Sequence, residues 1–240
     1  MLSKNEIKDI RALGQKKFRD ERGLFVVEGE KLVEEALRSG FEIVGLYRTE
    51  DIGAEAMRRI SQLTHPSPAL AVVRQPAPAK AAPTLSPDEL VLALDGIRDP
   101  GNLGTILRIA DWFGIRQVLA SEDTVEVFNP KVVQATMGAI FRVRVHYCGL
   151  PRVLGCPAGS GMTAVPVYGT FLEGDNIYEA DLTRGGVLLM GSEANGISPE
   201  VAATVTRKLF IPPFPTGAHT SESLNVAVAT AIACSEFRRR

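Results

Sequence analysis

The chain has 240 residues, 45% of them hydrophobic and 23% charged, with a formal net charge of -1. That length admits one large domain or two small ones, either with a real core. The near-neutral balance excludes a bulk electrostatic pull toward nucleic acid, so any polyanion must be held by a local basic surface. Cys148, Cys156 and Cys234 form no CxxC pair and leave one thiol over in any disulfide scheme. His65, His146 and His219 are scattered, and His146 beside Cys148 supplies too few ligands for zinc. The expectation is a metal-free chain with reduced thiols. No apolar core backs the N-terminal charges and no apolar run reaches membrane-spanning length, so the expected setting is soluble and cytoplasmic.

Ser3 followed by Glu6 reads as a capping box, and Ile7, Ile10, Leu13 and Phe18 as the apolar stripe of an opening helix. The same segment carries Lys4, Lys8, Arg11, Lys16, Lys17, Arg19 and Arg22, and the chain ends in Arg238, Arg239 and Arg240. Read alone, these are a solvated helix face and a frayed tail. A strand over 24–27, a helix over 31–39 ending at Gly40, a strand over 42–47, a helix over 54–63 and a strand over 69–73 follow. This predicts a small α/β domain over residues 1–75. The Pro/Ala-rich stretch that follows makes 76–88 a linker.

From residue 89 to residue 240 the alternation resumes as a second domain. Leu90–Leu94 is an unbroken apolar run, as a strand buried on both faces requires. A helix over 103–113, a strand over 117–120, a helix from Pro130 to Ile140, and strands over 142–147 and 163–168 come next, with 149–161 as loop. Strands over 187–190 and 208–211 precede a long terminal helix over 223–237. Val226, Ala227, Val228, Ala229, Ala231 and Ile232 suggest a helix nearly enclosed by protein. The pattern is an open, mostly parallel sheet with helices on both faces.

Ligands of such sheets bind beyond the carboxyl ends of the strands. Three loops lie there. The first runs from Asp95 through Asn102 to Arg108, with loop glycines and a helix start that suit an anion; alternatively Asn102 caps the helix and Arg108 meets Asp111 or solvent. The second places Glu193 just after a buried strand, as a helix-entry residue or a positioned acceptor. In the third, Ser221 or Ser223 reads as a helix cap, while Asn225 is an odd head for so apolar a helix. Neither GxGxxG nor GxxxxGK[ST] occurs.

Together the three loops resemble the signature motifs of the SpoU/TrmH family in the SPOUT superfamily of RNA methyltransferases. Asn102-Leu-Gly-Thr-Ile-Leu-Arg108 matches N-x-G-x-x-x-R. Leu188-Leu-Met-Gly-Ser-Glu193-Ala-Asn-Gly196 matches an apolar strand ending in G-x-E-x-x-G, and Ile211-Pro212 with Ser223-Leu-Asn225 matches the third motif. Residues 25–37 resemble the ribosomal-protein-like substrate-binding domain that many members carry. The loop between Pro212 and Ser223 is longer than the family's usual one and carries His219.

The resemblance implies an α/β fold whose C-terminal parallel sheet holds a deep trefoil knot, a homodimer whose sites combine both subunits, and S-adenosylmethionine as methyl donor. It implies methylation of a ribose 2′-hydroxyl, most readily in ribosomal RNA given the attached N-terminal domain. Transfer RNA, a non-catalytic RNA-binding protein on the same fold, and a small-molecule enzyme using another nucleotide are the alternatives. Carried over by position, Asn102, Arg108, Glu193, Ser223 and Asn225 form the reaction centre. Met190, Gly191, Gly196, Ile211 and Leu224 line the cofactor pocket. The family often assigns the motif-one arginine as a base. Because guanidinium stays protonated, a phosphate grip and oxyanion stabilisation suit Arg108 better. The basic first helix then supplies phosphate contacts.

Overall fold

Ser3 starts the first helix as its spacing from Glu6 demands. Its hydroxyl accepts from the Glu6 N–H at 3.2 Å while the Glu6 carboxylate accepts from the Ser3 N–H at 2.8 Å. In this computed structural model, which describes residues 2–77, 85–155, 165–215 and 221–239, that helix is α1 (Lys4–Ala12). It ends before the predicted stripe does. Around Gly14, a poor helix former, the backbone tightens to three-residue hydrogen bonds, and α2 (Lys16–Arg22) begins afresh.

Then come β1 (Leu24–Glu28), α3 (Glu30–Arg38), β2 (Ile43–Arg48), α4 (Thr49–Ile52), α5 (Ala54–Ile60) and β3 (Ala69–Arg74). The three strands form an antiparallel sheet in the order β1-β3-β2, with Val26 opposite Val72 and Leu46 opposite Ala71. Ile7, Ile10 and Leu13 of the first segment and Met57 and Ile60 of α5 pack on Val26, Leu70 and Val72, which makes a core on one sheet face.

The remaining elements are β4 (Leu90–Asp95), α6 (Pro100–Trp112), β5 (Gln117–Ala120), α7 (Pro130–Thr136), a 3₁₀ turn (Ala139–Phe141), β6 (Arg144–Tyr147), α8 (Leu150–Leu154), β7 (Val167–Asn176), β8 (Gly186–Gly191), α9 (Pro199–Ala202), β9 (Arg207–Phe210) and α10 (Val226–Arg239). The six strands form a parallel sheet in the order β6-β5-β4-β8-β7-β9. Its central strands β4 and β8 are buried almost throughout, as their unbroken apolar runs require. Phe171–Gly174 loop out of β7, since Thr170 and Asp175 both oppose Leu209.

Several expectations change. The helix opened by Pro130 stops at Thr136 because Met137 turns left-handed (φ 49°) and Gly138 follows at φ 96°. The predicted loop over 149–161 contains α8, and its later residues lie outside those described. The strand predicted over 163–168 is instead β7, which begins at Val167 and continues to Asn176; residues 163 and 164 are not described. The terminal helix buries one face only, and Val228 is 50% exposed.

The chain packs as two compact units whose make-up is not a simple split in sequence. One compact unit comprises Met1–Pro78 with Glu126–Arg142, and the other Ala79–Val125 with Val143–Arg240. The first unit recruits the later segment to finish its own packing. α7 lies against β1, Phe128 stacks on Phe25 at 4.7 Å between centroids, and Glu126 pairs with Arg19, which is only 2% exposed. Among the described residues no helix is long and apolar enough to cross a membrane.

Candidate active site

Loops at the carboxyl ends of β4 and β5 brace each other before α6 begins. The Gly96 N–H donates to Ser121 Oγ at 2.8 Å, the Ile97 N–H to Thr124 Oγ1 at 3.2 Å, and the Val125 N–H to the Ile97 carbonyl at 2.8 Å. The Ser121 hydroxyl also donates to Asp123, which, with the nearby Arg98 guanidinium, holds the Asp123 carboxyl below the usual range. This frame fixes where α6 starts. Asp99 is its cap, accepting the Asn102 N–H at 2.8 Å, and Pro100 occupies the first helical position. The helix therefore begins three residues earlier than predicted, and Asn102 is not the cap. Its side chain is left for other work.

The loop after β8 is a closed turn. Ser192 and Gly196 exchange backbone hydrogen bonds at 3.0 and 2.9 Å, and Gly196 sits at φ 65° where a side chain would be strained. A Cβ on Gly191 would collide with the Gly196 carbonyl carbon and the Ile197 nitrogen, so both glycines serve the turn itself. Glu193 stands exposed on it. Asp95, 7% exposed at the end of β4, accepts the Ser198 N–H at 2.7 Å and so ties the first loop to the second.

The third loop delivers Asn225, and it is Asn225, not Ser221 or Ser223, that caps the terminal helix. Its Oδ1 accepts from the Ala227 and Val228 N–H groups at 3.0 and 3.3 Å. The other end of the amide is thereby aimed. Asn225 Nδ2 donates to Asn102 Oδ1 at 3.0 Å, and Asn102 Nδ2 donates to Glu193 Oε1. Three motifs far apart in sequence thus meet in one chain, with each amide orientation set by bonds at both ends.

Other expected residues stand apart from that chain. Arg108 is exposed and makes no hydrogen bond or ion pair among the described residues. Six residues of helix separate it from Asn102, a rotation of about 240°, so the two do not share a face. Ser223 and Leu224 are exposed, Leu224 at 47%. Met190 is buried at the end of β8, and Ile211 is half-buried one residue past β9. His219 lies outside the described residues. Sequence reasoning missed Asp95 and Asp99 as the groups that hold the loops. It also missed Thr170, whose hydroxyl donates to the Leu189 carbonyl at 3.3 Å. Asp99 followed by Pro100 was a readable cap signal.

The SpoU rRNA Methylase family model matches residues 89–235. The chain belongs to the SpoU rRNA methylase family. The three loops just described all lie within that span, and an MRM3-like substrate binding domain model matches residues 4–92. Among curated relatives, the Bacillus subtilis 23S rRNA (guanosine(2553)-2′-O)-methyltransferase RlmP is 31% identical over 98% of this chain and 97% of its own. Among solved structures, a TrmH-family protein from Porphyromonas gingivalis is 43% identical with a TM-score of 0.84, covering 100% of this chain and 99% of its own. An AdoMet-bound rRNA methyltransferase from Sinorhizobium meliloti is 32% identical with a TM-score of 0.81, covering 100% and 96%. The six-stranded parallel sheet is the sheet of these SpoU-family folds.

Proposed function

We propose that this SpoU-family chain is an S-adenosylmethionine-dependent methyltransferase that modifies a ribose 2′-hydroxyl of ribosomal RNA. The observation that carries the reading is the Asn225–Asn102–Glu193 chain, which gathers a residue of each motif at the open end of the sheet. A full-length relative that methylates a 2′-oxygen of 23S rRNA and a close structure holding the cofactor support the substrate and donor.

The residues suit the cofactor. On the motif assignment, half-buried Ile211 and part-exposed Leu224 offer the cofactor apolar surface, and Met190 and the turn of Gly191 and Gly196 belong to the same pocket. When bound, S-adenosylmethionine supplies an electrophilic methyl group on a sulfonium. This chain's own residues align the ribose and hold its proton. Alignment alone contributes about 7–11 kcal/mol in well-oriented reactions. The Glu193 carboxylate and the two asparagine amides form a rigid polar shelf for the ribose, with Ser223 beside Asn225 in sequence. Arg108 grips the neighbouring phosphate and stabilises charge developing on the 2′-oxygen.

The reading includes a homodimer in which a second copy brings its Arg108 to this shelf. It is supported by the separation of Arg108 from Asn102 and by apolar surface left open on the two packed helices α6 and α10: Trp112 is 85% exposed and Val228 50%. The N-terminal unit is the substrate-binding part, and the knotted trace of the family is included for the C-terminal sheet, where β8 lies between β4 and β7. A cytoplasmic setting suits the free thiols of Cys148 and Cys234.

Calorimetric titration with S-adenosylmethionine tests the cofactor site, with Ile211→Asp as control. Saturable binding by the wild type and none by the folded variant is expected. A folded wild type that fails to bind would overturn the enzymatic reading.

A further inference from the structure

The seven cations of the first segment do not behave alike. Three are neutralised within the first unit: Lys16 pairs with Asp20 at 2.5 Å, Arg22 with Asp9 at 2.8 Å, and buried Arg19 with Glu126. The basic tail is committed too, since Arg238 donates to the Phe113 carbonyl at 2.9 Å and Arg239 holds Glu236. Lys17, on the next helix, has only the Phe18 ring 6.0 Å away among the described residues, and Lys4, Lys8 and Arg11 of α1 are different again. They are exposed, and none forms an ion pair among the described residues.

Their spacing of four and three residues places them on one face of α1, within about 60° of arc and at rises of about 6 and 4.5 Å. The acids of the same helix are spent elsewhere: Glu6 closes the capping box with Ser3, and Asp9 faces Arg22. Arg11 Nη1 reaches the Arg59 carbonyl at 3.5 Å, which brings the exposed end of α5 alongside, and Arg59 likewise has no ion pair among the described residues. In a chain whose net charge is -1, this is a concentrated run of uncompensated positive charge.

The geometry points to the Lys4–Lys8–Arg11 face of α1, extended by Arg59, as the surface on which this protein docks the phosphate backbone of its RNA. The inference rests on the RNA-methyltransferase reading and adds to it the place where the substrate is held outside the reaction centre. Uncompensated cations in line with few competing carboxylates release counterions from a polyanion on contact, whereas paired cations have already lost most of that capacity. The stripe is sequence-blind. It sets affinity and leaves the choice of nucleotide to other residues.

Binding of the full-length protein to purified large-subunit ribosomal RNA, titrated across salt concentrations, tests this. The triple variant Lys4→Gln/Lys8→Gln/Arg11→Gln is compared with Lys16→Gln/Arg38→Gln/Arg74→Gln, which removes the same charge from cations paired with Asp20, Glu34 and Glu42. The stripe variant is expected to lower the slope of log affinity against log salt by about 2 to 3 units, and to weaken binding about 10- to 100-fold at 0.1 M salt. The paired-cation control is expected to stay near wild type. Lys4→Gln/Lys8→Gln, which leaves the Arg11–Arg59 contact intact, should show about two-thirds of the slope change, and unaltered S-adenosylmethionine binding reports an intact fold. An unchanged slope in the stripe variant, or equal loss in both triples, would overturn the proposal. Methyl transfer by the wild type is scored separately: its absence together with a stripe-dependent slope would sink the enzymatic reading and leave the docking surface standing.

Discussion

Asn102, Glu193 and Asn225 meet in one hydrogen-bonded chain, whereas Arg108 and Ser223 stand exposed with no hydrogen bond among the described residues. The first group is held by backbone: a capped helix start, a closed turn and a second helix cap. The second group is held by no hydrogen bond or ion pair among the described residues. On the proposed reading, that division gives a site that is rigid toward the ribose and open toward the phosphate. Preorganised groups cost little reorganisation in the transition state, while a free guanidinium keeps its full capacity for a charged ligand.

The largest effect is expected on the open side. Arg108→Ala should lower the rate of methyl transfer by about 10²- to 10³-fold with cofactor affinity and melting temperature unchanged. Arg108→Lys keeps the charge and loses the planar fork; near-wild-type turnover in that variant would sink any role that needs the fork.

On the rigid side, effects on stability and activity should appear together. Asp95→Ala leaves the Ser198 N–H without its acceptor and should cost about 1–3 kcal/mol in urea unfolding, with turnover falling as the Glu193 turn loosens. Asp95→Asn, which keeps an acceptor oxygen, should recover most of both. Asn225→Ala removes a helix cap and should cost about 1 kcal/mol. Asn225→Asp retains the cap but loses the donor to Asn102, so it should restore stability without restoring turnover. If the two substitutions behave alike, the double role of Asn225 is wrong.

The smallest effect concerns His146, 8% exposed, whose ring nitrogens find no partner among the described residues. Burial, with Arg144 nearby, pushes its pKa below the ordinary 6.5, so the unfolded chain binds the proton more tightly. Its contribution is fully present above about pH 6.5 and is lost as pH falls through the depressed folded value. His146→Leu should flatten that acid-side decline in urea midpoints and leave the plateau at pH 8 little changed. Cys234, its thiol pushed up to about 12 by burial, should meanwhile resist alkylation at that pH.

Spacing made much of this legible. The apolar runs at Leu90–Leu94 and Val187–Met190 marked the two central strands, and the three motifs marked the loops beyond them. Sequence could not show which of two neighbouring caps wins. Asp99 outcompetes Asn102 because the braced loop after β4 ends there, and Asn225 outcompetes Ser223 for the same kind of tertiary reason. Nor does periodicity reveal that Glu126–Arg142 belongs with the first unit; that depends on Arg19 needing a buried partner and on Phe25 needing Phe128. The helical spacing of Asn102 and Arg108 did hold the information that they diverge, and it required only counting residues per turn.

The most direct test of the central claim is to incubate the wild-type protein with unmodified large-subunit ribosomal RNA and isotopically labelled S-adenosylmethionine, digest the RNA to nucleosides, and identify the labelled product. Label in a 2′-O-methylated nucleoside, lost in Arg108→Ala, is the expected result. Label on a base, or none despite confirmed cofactor binding, would contradict the account.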